Sequence, residues 1–320
     1  MQRRTFGLSL LPAVLLPVAA HALDNRPVRI VVPFAPGGGN DIYARLFAEP
    51  LGLLLKAPVI VENRSGASGN IGAENVVHSL PDGHTMLYTT AAIAINPFIL
   101  QSTPFDTERD LLPLSLMVSQ PYVMVARADM GVRDLKSLLE RLRVEKVPLN
   151  YGSPGNGSMA NLVAAMLFKR AGLEATAVPY RGAGQLLTGL LSGDVQVSFL
   201  IWPVAKPFIQ SGQLMPLAVT GISTMEQLPG TPTLDSQGFK GLVADQWHGV
   251  FLPRHTPAEV AQELYEALAT TIRQPQIVDR LRADGATPVG STPAEFAKFF
   301  DAELVRWRDI VGSLGAKARE

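Results

Sequence analysis

Val28-Arg29-Ile30-Val31-Val32-Pro33-Phe34-Ala35-Pro36-Gly37-Gly38-Gly39-Asn40-Asp41 runs from an apolar segment into three consecutive glycines. Val28, Ile30, Val31 and Val32 are β-branched, which suits a buried strand. Beyond Asp41 the spacing turns helical, with Ile42, Leu46 and Leu51 on one stripe and Asn40 or Asp41 placed to cap its start. Glycines let the main chain come close to a bound group, because no Cβ intervenes. A helix N-terminus then adds unpaired N–H groups and a partial positive charge. The combination predicts a backbone pocket for a small anion at Gly37, Gly38, Gly39 and Asn40. Asp41 completes the candidate loop and reads as a cap, since its carboxylate would repel such a guest.

Other strand ends carry similar chemistry. Residues 59–62 read as a second strand entering Asn63-Arg64-Ser65-Gly66-Ala67-Ser68-Gly69-Asn70, whose loop offers Ala67, Ser68 and Asn70 to an oxyanion. A third strand, 86–89, opens onto Thr90. Residues 149–151 lead into Gly152-Ser153-Pro154-Gly155-Asn156-Gly157-Ser158, where Ser153, Gly157 and Ser158 are candidate ligand contacts ahead of a helix over 159–170. Further strands are predicted at 122–126, 176–179, 195–200 and 216–219, and helices at 135–142, 257–272, 276–282 and 293–311. This alternation predicts an α/β fold with mostly parallel sheets, in which ligands sit beyond the carboxyl ends of strands. Arg181 could grip a carboxylate with both guanidinium arms or serve an ion pair, and Phe34 and Trp247 could line a cleft or fill a core.

The chain of 320 residues is long enough for two domains with cores of their own, and 47% hydrophobic against 18% charged residues exclude disorder. Its formal charge is zero, so no overall field draws it to nucleic acid or an acidic membrane. Residues 1–22 read as a leader: Arg3 and Arg4, an apolar run broken by Pro12 and Pro17, then Ala20-His21-Ala22 as a cleavage signal. Arg3-Arg4-Thr5-Phe6 hints at twin-arginine export. Without cysteine there is no disulfide, catalytic thiol or thiolate metal site, and His78, His84, His248 and His255 lack metal-ligand spacing. No metal or cofactor is expected. No Gly-x-Ser-x-Gly elbow occurs, so no enzyme activity is expected. Gly155-Asn156-Gly157-Ser158-Met159-Ala160 fits a dinucleotide fingerprint, but Tyr180 and Arg181 stand where that site needs an acid. An exported nucleotide-binding enzyme is therefore the lesser alternative.

Several blocks, taken in order, resemble one family. They are Pro33-Phe34-Ala35-Pro36-Gly37-Gly38-Gly39-Asn40-Asp41, Val61-Glu62-Asn63-Arg64-Ser65-Gly66-Ala67-Ser68-Gly69-Asn70-Ile71-Gly72, Pro81-Asp82-Gly83-His84-Thr85 and Val178-Pro179-Tyr180-Arg181-Gly182. Leu228-Pro229-Gly230-Thr231-Pro232-Thr233-Leu234 and Gln246-Trp247-His248-Gly249 continue the likeness. The chain resembles the extracytoplasmic substrate-binding receptors of tripartite tricarboxylate transporters, the Bug or TctC-like proteins. The resemblance implies a two-lobed periplasmic-binding-protein fold of type II-like form, with the ligand cleft between mixed or parallel-sheet domains. We place domain 1 at 23–119 plus 245–320, domain 2 at 120–244, and hinge crossings near Gln120 and Ala244.

The resemblance further implies a periplasmic protein, cleaved near Ala22, that binds a di- or tricarboxylate, an acidic amino acid or an aromatic acid. Its partner would be a membrane permease or, alternatively, a sensor kinase, and a monomer is expected. The carboxylate would dock on the loops 37–41 and 65–72, with Ser153 and Ser158 closing from the other lobe. Asn161 stands where relatives often carry His and is counted among the ligand contacts, and Leu200 replaces a frequent Asp. Both departures favour a greasy or aromatic acid over one with a second charged head.

Overall fold

The computed structural model describes residues 23–145, 148–156 and 158–314. The expected leader (1–22) and Gly157 lie outside the described residues. In chain order the first lobe contains β1 (Val28–Val32), α1 (Gly39–Leu55), β2 (Val59–Asn63), α2 (Asn70–Val77), β3 (Thr85–Thr90), α3 (Ala92–Ile99) and the single turn α4 (Thr107–Asp110). The long strand β4 (Leu111–Arg127) leads outward. The second lobe adds α5 (Leu135–Glu145), β5 (Leu149–Ser153), α6 (Met159–Ala171), β6 (Ala175–Pro179), α7 (Ala183–Ser192), β7 (Val197–Ile201), α8 (Trp202–Gln210) and β8 (Leu214–Val219). The chain returns through β9 (Asp245–Pro253) to α9 (Ala258–Ile272), α10 (Pro275–Ala283), β10 (Thr287–Pro288) and α11 (Pro293–Leu314).

The apolar run of β1 is almost wholly buried, as a strand covered on both faces must be. It lies parallel to β2 on one side and β3 on the other. In the second lobe β5 is likewise parallel to β6 and β7. The sheets are mixed rather than mostly parallel, because β4, β8, β9 and β10 pair antiparallel. The cause is the path of the chain: it leaves the first lobe on β4 and returns on β9 beside it. β4 pairs with β9 up to Pro121, and from Tyr122 it pairs with β7 and β8 instead. Gln120 and Gln246 face each other in register at that crossing.

α11 seals the outer face of the first lobe. Phe296, Phe300, Leu304, Trp307 and Val311 are buried at helical spacing, and Phe296 and Phe300 meet Phe251 and Trp247 of β9. Beneath them Glu303 is buried and accepts hydrogen bonds from Trp247 Nε1 (2.8 Å) and Trp307 Nε1 (2.9 Å), with Arg306 alongside at 3.1 Å. Among the described residues no helix is long and apolar enough to cross a membrane.

Candidate functional site

Five strand-to-helix junctions meet at one place: β1–α1, β3–α3, β5–α6, β6–α7 and β7–α8. Each contributes residues to a single cavity between the lobes: Gly38, Gly39 and Asn40, then Thr90 and Ala92, then Pro154, Ser158 and Met159, then Gly182 and Ala183, then Leu200 and Ile201. Five helices therefore present their N-termini to the same space. Every one carries orphan N–H donors and a fraction of a positive charge, worth about 0.3–1 kcal/mol to an anion when exposed and more when half-buried. Only α6 has its first turn capped by a side chain, Ser158; the caps of α1, α3, α7 and α8 (Gly38, Ala91, Gly182 and Ile201) make no such bond. The donors of α1 are thus free to serve a guest.

The rest of the wall is apolar apart from Gln246: Phe34 and Ala35 from the first lobe, and Tyr122, Met159, Leu186, Phe199, Leu200, Ile201 and Val204 reached through the crossing strand and second lobe. No charged side chain occurs among its described lining residues. The cavity holds about 80 Å³, room for roughly three water molecules. The lobes approach closely around it. A Cβ built on Gly182 would lie 3.3 Å from Ala35 Cβ, and one on Gly38 would lie 3.9 Å from Ala183 Cβ.

Below the cavity runs a buried polar chain. The Tyr43 hydroxyl donates to Gln120 Oε1 (2.8 Å), and Gln120 Nε2 lies 3.1 Å from His248 Nε2. His248 Nδ1 is 2.6 Å from Asn40 Oδ1, while Gln246 Nε2 also reaches His248 Nε2 at 3.3 Å. The imidazole is clamped by the Tyr88 ring stacked at 5.7 Å and the Tyr43 ring edge-on at 5.2 Å. Burial pushes both phenols up and pushes His248 down to about 3, so all three are neutral at ordinary pH.

That depression makes stability pH-dependent. The unfolded chain protonates this histidine near pH 6.5 and the folded chain not until about pH 3. Between those values the unfolded state carries the extra proton, so stability falls as the pH drops, by up to about 1.4 kcal/mol per pH unit. Urea unfolding at pH 6.5 and 4.5 should show this loss, and His248→Gln should shrink it. Equal pH slopes in the two proteins would contradict a buried, neutral ring.

Of the residues expected at the site, Phe34, Gly38, Gly39, Asn40, Thr90 and Ser158 line the cavity. Ser158 is occupied as the cap of α6: its Oγ accepts from the Asn161 N–H and donates to the Gly155 carbonyl. Gly37 sits outside the wall with φ +85°, and its N–H is taken by Asp41 Oδ2 at 3.0 Å. Asp41 also holds Arg45 at 2.9 Å. Burial alone would raise the Asp41 pKa, but Arg45 and the Gly37 N–H outweigh it and hold the group below the usual carboxylate value.

Ala67, Ser68 and Asn70 of the loop 65–72 are not among the cavity-lining residues, although Ser68 Oγ faces the opposite lobe, 3.7 Å from where a Cβ on Gly155 would lie. Its glycines answer a different need: a Cβ on Gly69 would lie 3.2 Å from the Phe34 ring, and one on Gly72 2.8 Å from Pro33 Cα. Asn96 Nδ2 ties this loop down through the Ser68 carbonyl and Asn70 Oδ1. Ser153 is fully buried and bonds to the Gly155 carbonyl, and Asn161 Nδ2 bonds to the Asn156 carbonyl. Arg181 is exposed to solvent outside the wall. Trp247 lies in the core, edge-on to Phe296, Phe299 and Phe300, because Glu303 offers its indole a buried acceptor. Sequence reasoning passed over Phe199, Ile201, Val204 and Leu186, whose apolar character reads as core.

Two lobes joined by crossing strands, with the cavity beyond the strand ends between them, define a solute receptor of the periplasmic-binding-protein fold. The periplasmic binding protein BugD has this fold at a TM-score of 0.87 and 29% identity, over 92% of this chain and 99% of BugD. The chain belongs to the receptor family of tripartite tricarboxylate transporters (TctC), whose profile it matches over residues 43–316. An R. palustris protein solved with adipate is similar at TM-score 0.87 and 31% identity, covering 91% of this chain and 97% of that one. MatC from Rhodopseudomonas palustris, solved with bound malate, follows at TM-score 0.82 and 29% identity, over 92% and 100% of the two chains.

Proposed function

We propose that this protein is an exported, periplasmic receptor that captures one small carboxylic acid without transforming it and delivers it to a membrane permease. One observation carries the proposal: five helix N-termini converge on a cavity whose described lining holds no charged side chain. The carboxylate head sits against the free N–H groups of α1 around Gly39 and Asn40, where dipoles supply the counter-charge. The body of the acid lies along Tyr122, Phe199, Leu200 and Ile201. A second carboxylate there would be desolvated against an apolar wall with no cation to meet it. The preferred ligand is therefore an acid with one charge and an apolar body, distinct from the adipate and malate held by the relatives, and benzoate is its simplest aromatic probe.

The lobes are those joined at Gln120 and Asp245, with the crossing of β4 and β9 as hinge. A ligand touching both lobes favours the closed form by its differential affinity, and the permease reads that form. Thermal unfolding with benzoate, adipate and malate at equal concentration tests the ligand class. At a hundred times its Kd benzoate should add about 2.7 kcal/mol, raising Tm by roughly 5 °C, with malate giving the smallest shift. A larger shift with malate than with benzoate would refute the single-charge reading. No shift with any acid would remove the anion seat itself.

A further inference from the structure

We infer that His248 is a positioning residue for the ligand: a neutral imidazole, protonated at Nδ1, that fixes the Asn40 side chain with its amide N–H₂ toward the cavity. The direction follows from the donors around the ring. Gln120 Oε1 is already taken by the Tyr43 hydroxyl, so the group Gln120 turns to His248 is its N–H₂. Gln246 approaches the same ring nitrogen with its own Nε2. Facing two amide donors, His248 Nε2 accepts. The ring proton therefore resides on Nδ1 and is donated to Asn40 Oδ1 at 2.6 Å. With Oδ1 engaged, Nδ2 is what Asn40 has left to offer the cavity it lines.

This choice matters for an anion. A carboxylate only accepts hydrogen bonds, so Asn40 turned the other way would set its carbonyl dipole against the guest. The ring has no freedom to change: it is fully buried, stacked on Tyr88 and edged by Tyr43. Its anchors Gln120 and Gln246 face each other where β4 and β9 cross between the lobes, so the aim of Asn40 is set from the crossing itself. Gly39 allows the ring this close, since a Cβ there would come within 3.3 Å of His248 Cε1.

The test begins on the unmodified protein, labelled with ¹⁵N-histidine, with His248 assigned by the loss of its signals in His248→Gln. Nδ1 is expected to carry the proton and Nε2 to be bare, unchanged from pH 5 to 8. A proton on Nε2, or a charged ring within that range, would overturn the inference without any variant having to fold. Benzoate binding then supplies the second arm, which rests on the proposed ligand class. Asn40→Ala and His248→Phe should each weaken benzoate about tenfold, and the double variant by about the same tenfold, since both remove one aimed donor. Losses that multiply to about a hundredfold would mean that His248 acts independently of Asn40 and would overturn the positioning role. Should benzoate fail to bind the unmodified protein, the ligand class falls, and the ring protonation alone decides for or against His248.

Discussion

Gly39→Val is expected to weaken benzoate binding by about a hundredfold, a loss of about 2.7 kcal/mol. A Cβ at this position would lie 2.6 Å from Ile201 Cδ1 in the opposite lobe, 3.3 Å from His248 Cε1 and 3.5 Å from Gln120 Nε2. The Ile201 methyl is the end of a flexible side chain and can move. The imidazole cannot, being held by Tyr88, Tyr43 and its own hydrogen bonds. The branched side chain would thus push the lobes apart at the point where the carboxylate must reach the N–H groups of α1. Gly39 has no left-handed φ, so the backbone itself tolerates the change and affinity should suffer more than stability. A Cβ on Gly38 would meet nothing closer than 3.9 Å, so Gly38→Val should be the milder of the two. Calorimetric titration decides the matter, and an unchanged Kd for Gly39→Val would place the ligand elsewhere.

The second large effect concerns folding. Trp247→Ala should destabilise the protein by about 3–5 kcal/mol, as expected for emptying a large aromatic site in a packed core. The indole contacts Phe296, Phe299 and Phe300, and its loss also deprives buried Glu303 of one of its hydrogen-bond donors. Trp247→Phe keeps most of the volume and should cost less, about 1–3 kcal/mol, from the missing N–H alone. Chemical denaturation measures both. Benzoate affinity in Trp247→Phe should stay within about twofold of the parent, because the side chain faces α11 and not the cavity; a tenfold drop would return Trp247 to the cleft.

Much of the first lobe was legible because its strands obey simple rules. β1, β2 and β3 are short β-branched or apolar runs that end at glycine or hydroxyl residues, and the C-terminal helices show clear 3.6-residue stripes. The crossing strands were legible only over 122–126, the far end of β4. The part of β4 that pairs with β9 contains Pro113 and Pro121, and its register against β9 slips twice, which erases the two-residue alternation that marks a strand. β9 contains Gly249, and a Cβ there would strike the Phe296 ring at 2.2 Å, a requirement visible only after α11 has docked.

The site was half legible for a similar reason. Glycine at 37–39 reported close approach of main chain to something, and the loop lines the cavity at Gly38 and Gly39. The same signal at Gly69 and Gly72 reported close approach to Pro33 and Phe34, because glycine marks proximity and not its object. Phe199 and Ile201 belong to a strand that reads as core, and only the opposing lobe reveals them as a wall beside Leu200. The relay through His248 joins residues 40, 43, 120, 246 and 248, separated by up to 208 positions, so no local pattern announces it.

A seat assembled from helix ends has no proton to gain or lose. Among the described lining residues the cradle has neither arginine nor lysine, so its pull on an anion does not depend on a titrating wall. The guest is different: an acid that has taken up its own proton no longer carries the charge that helix dipoles hold.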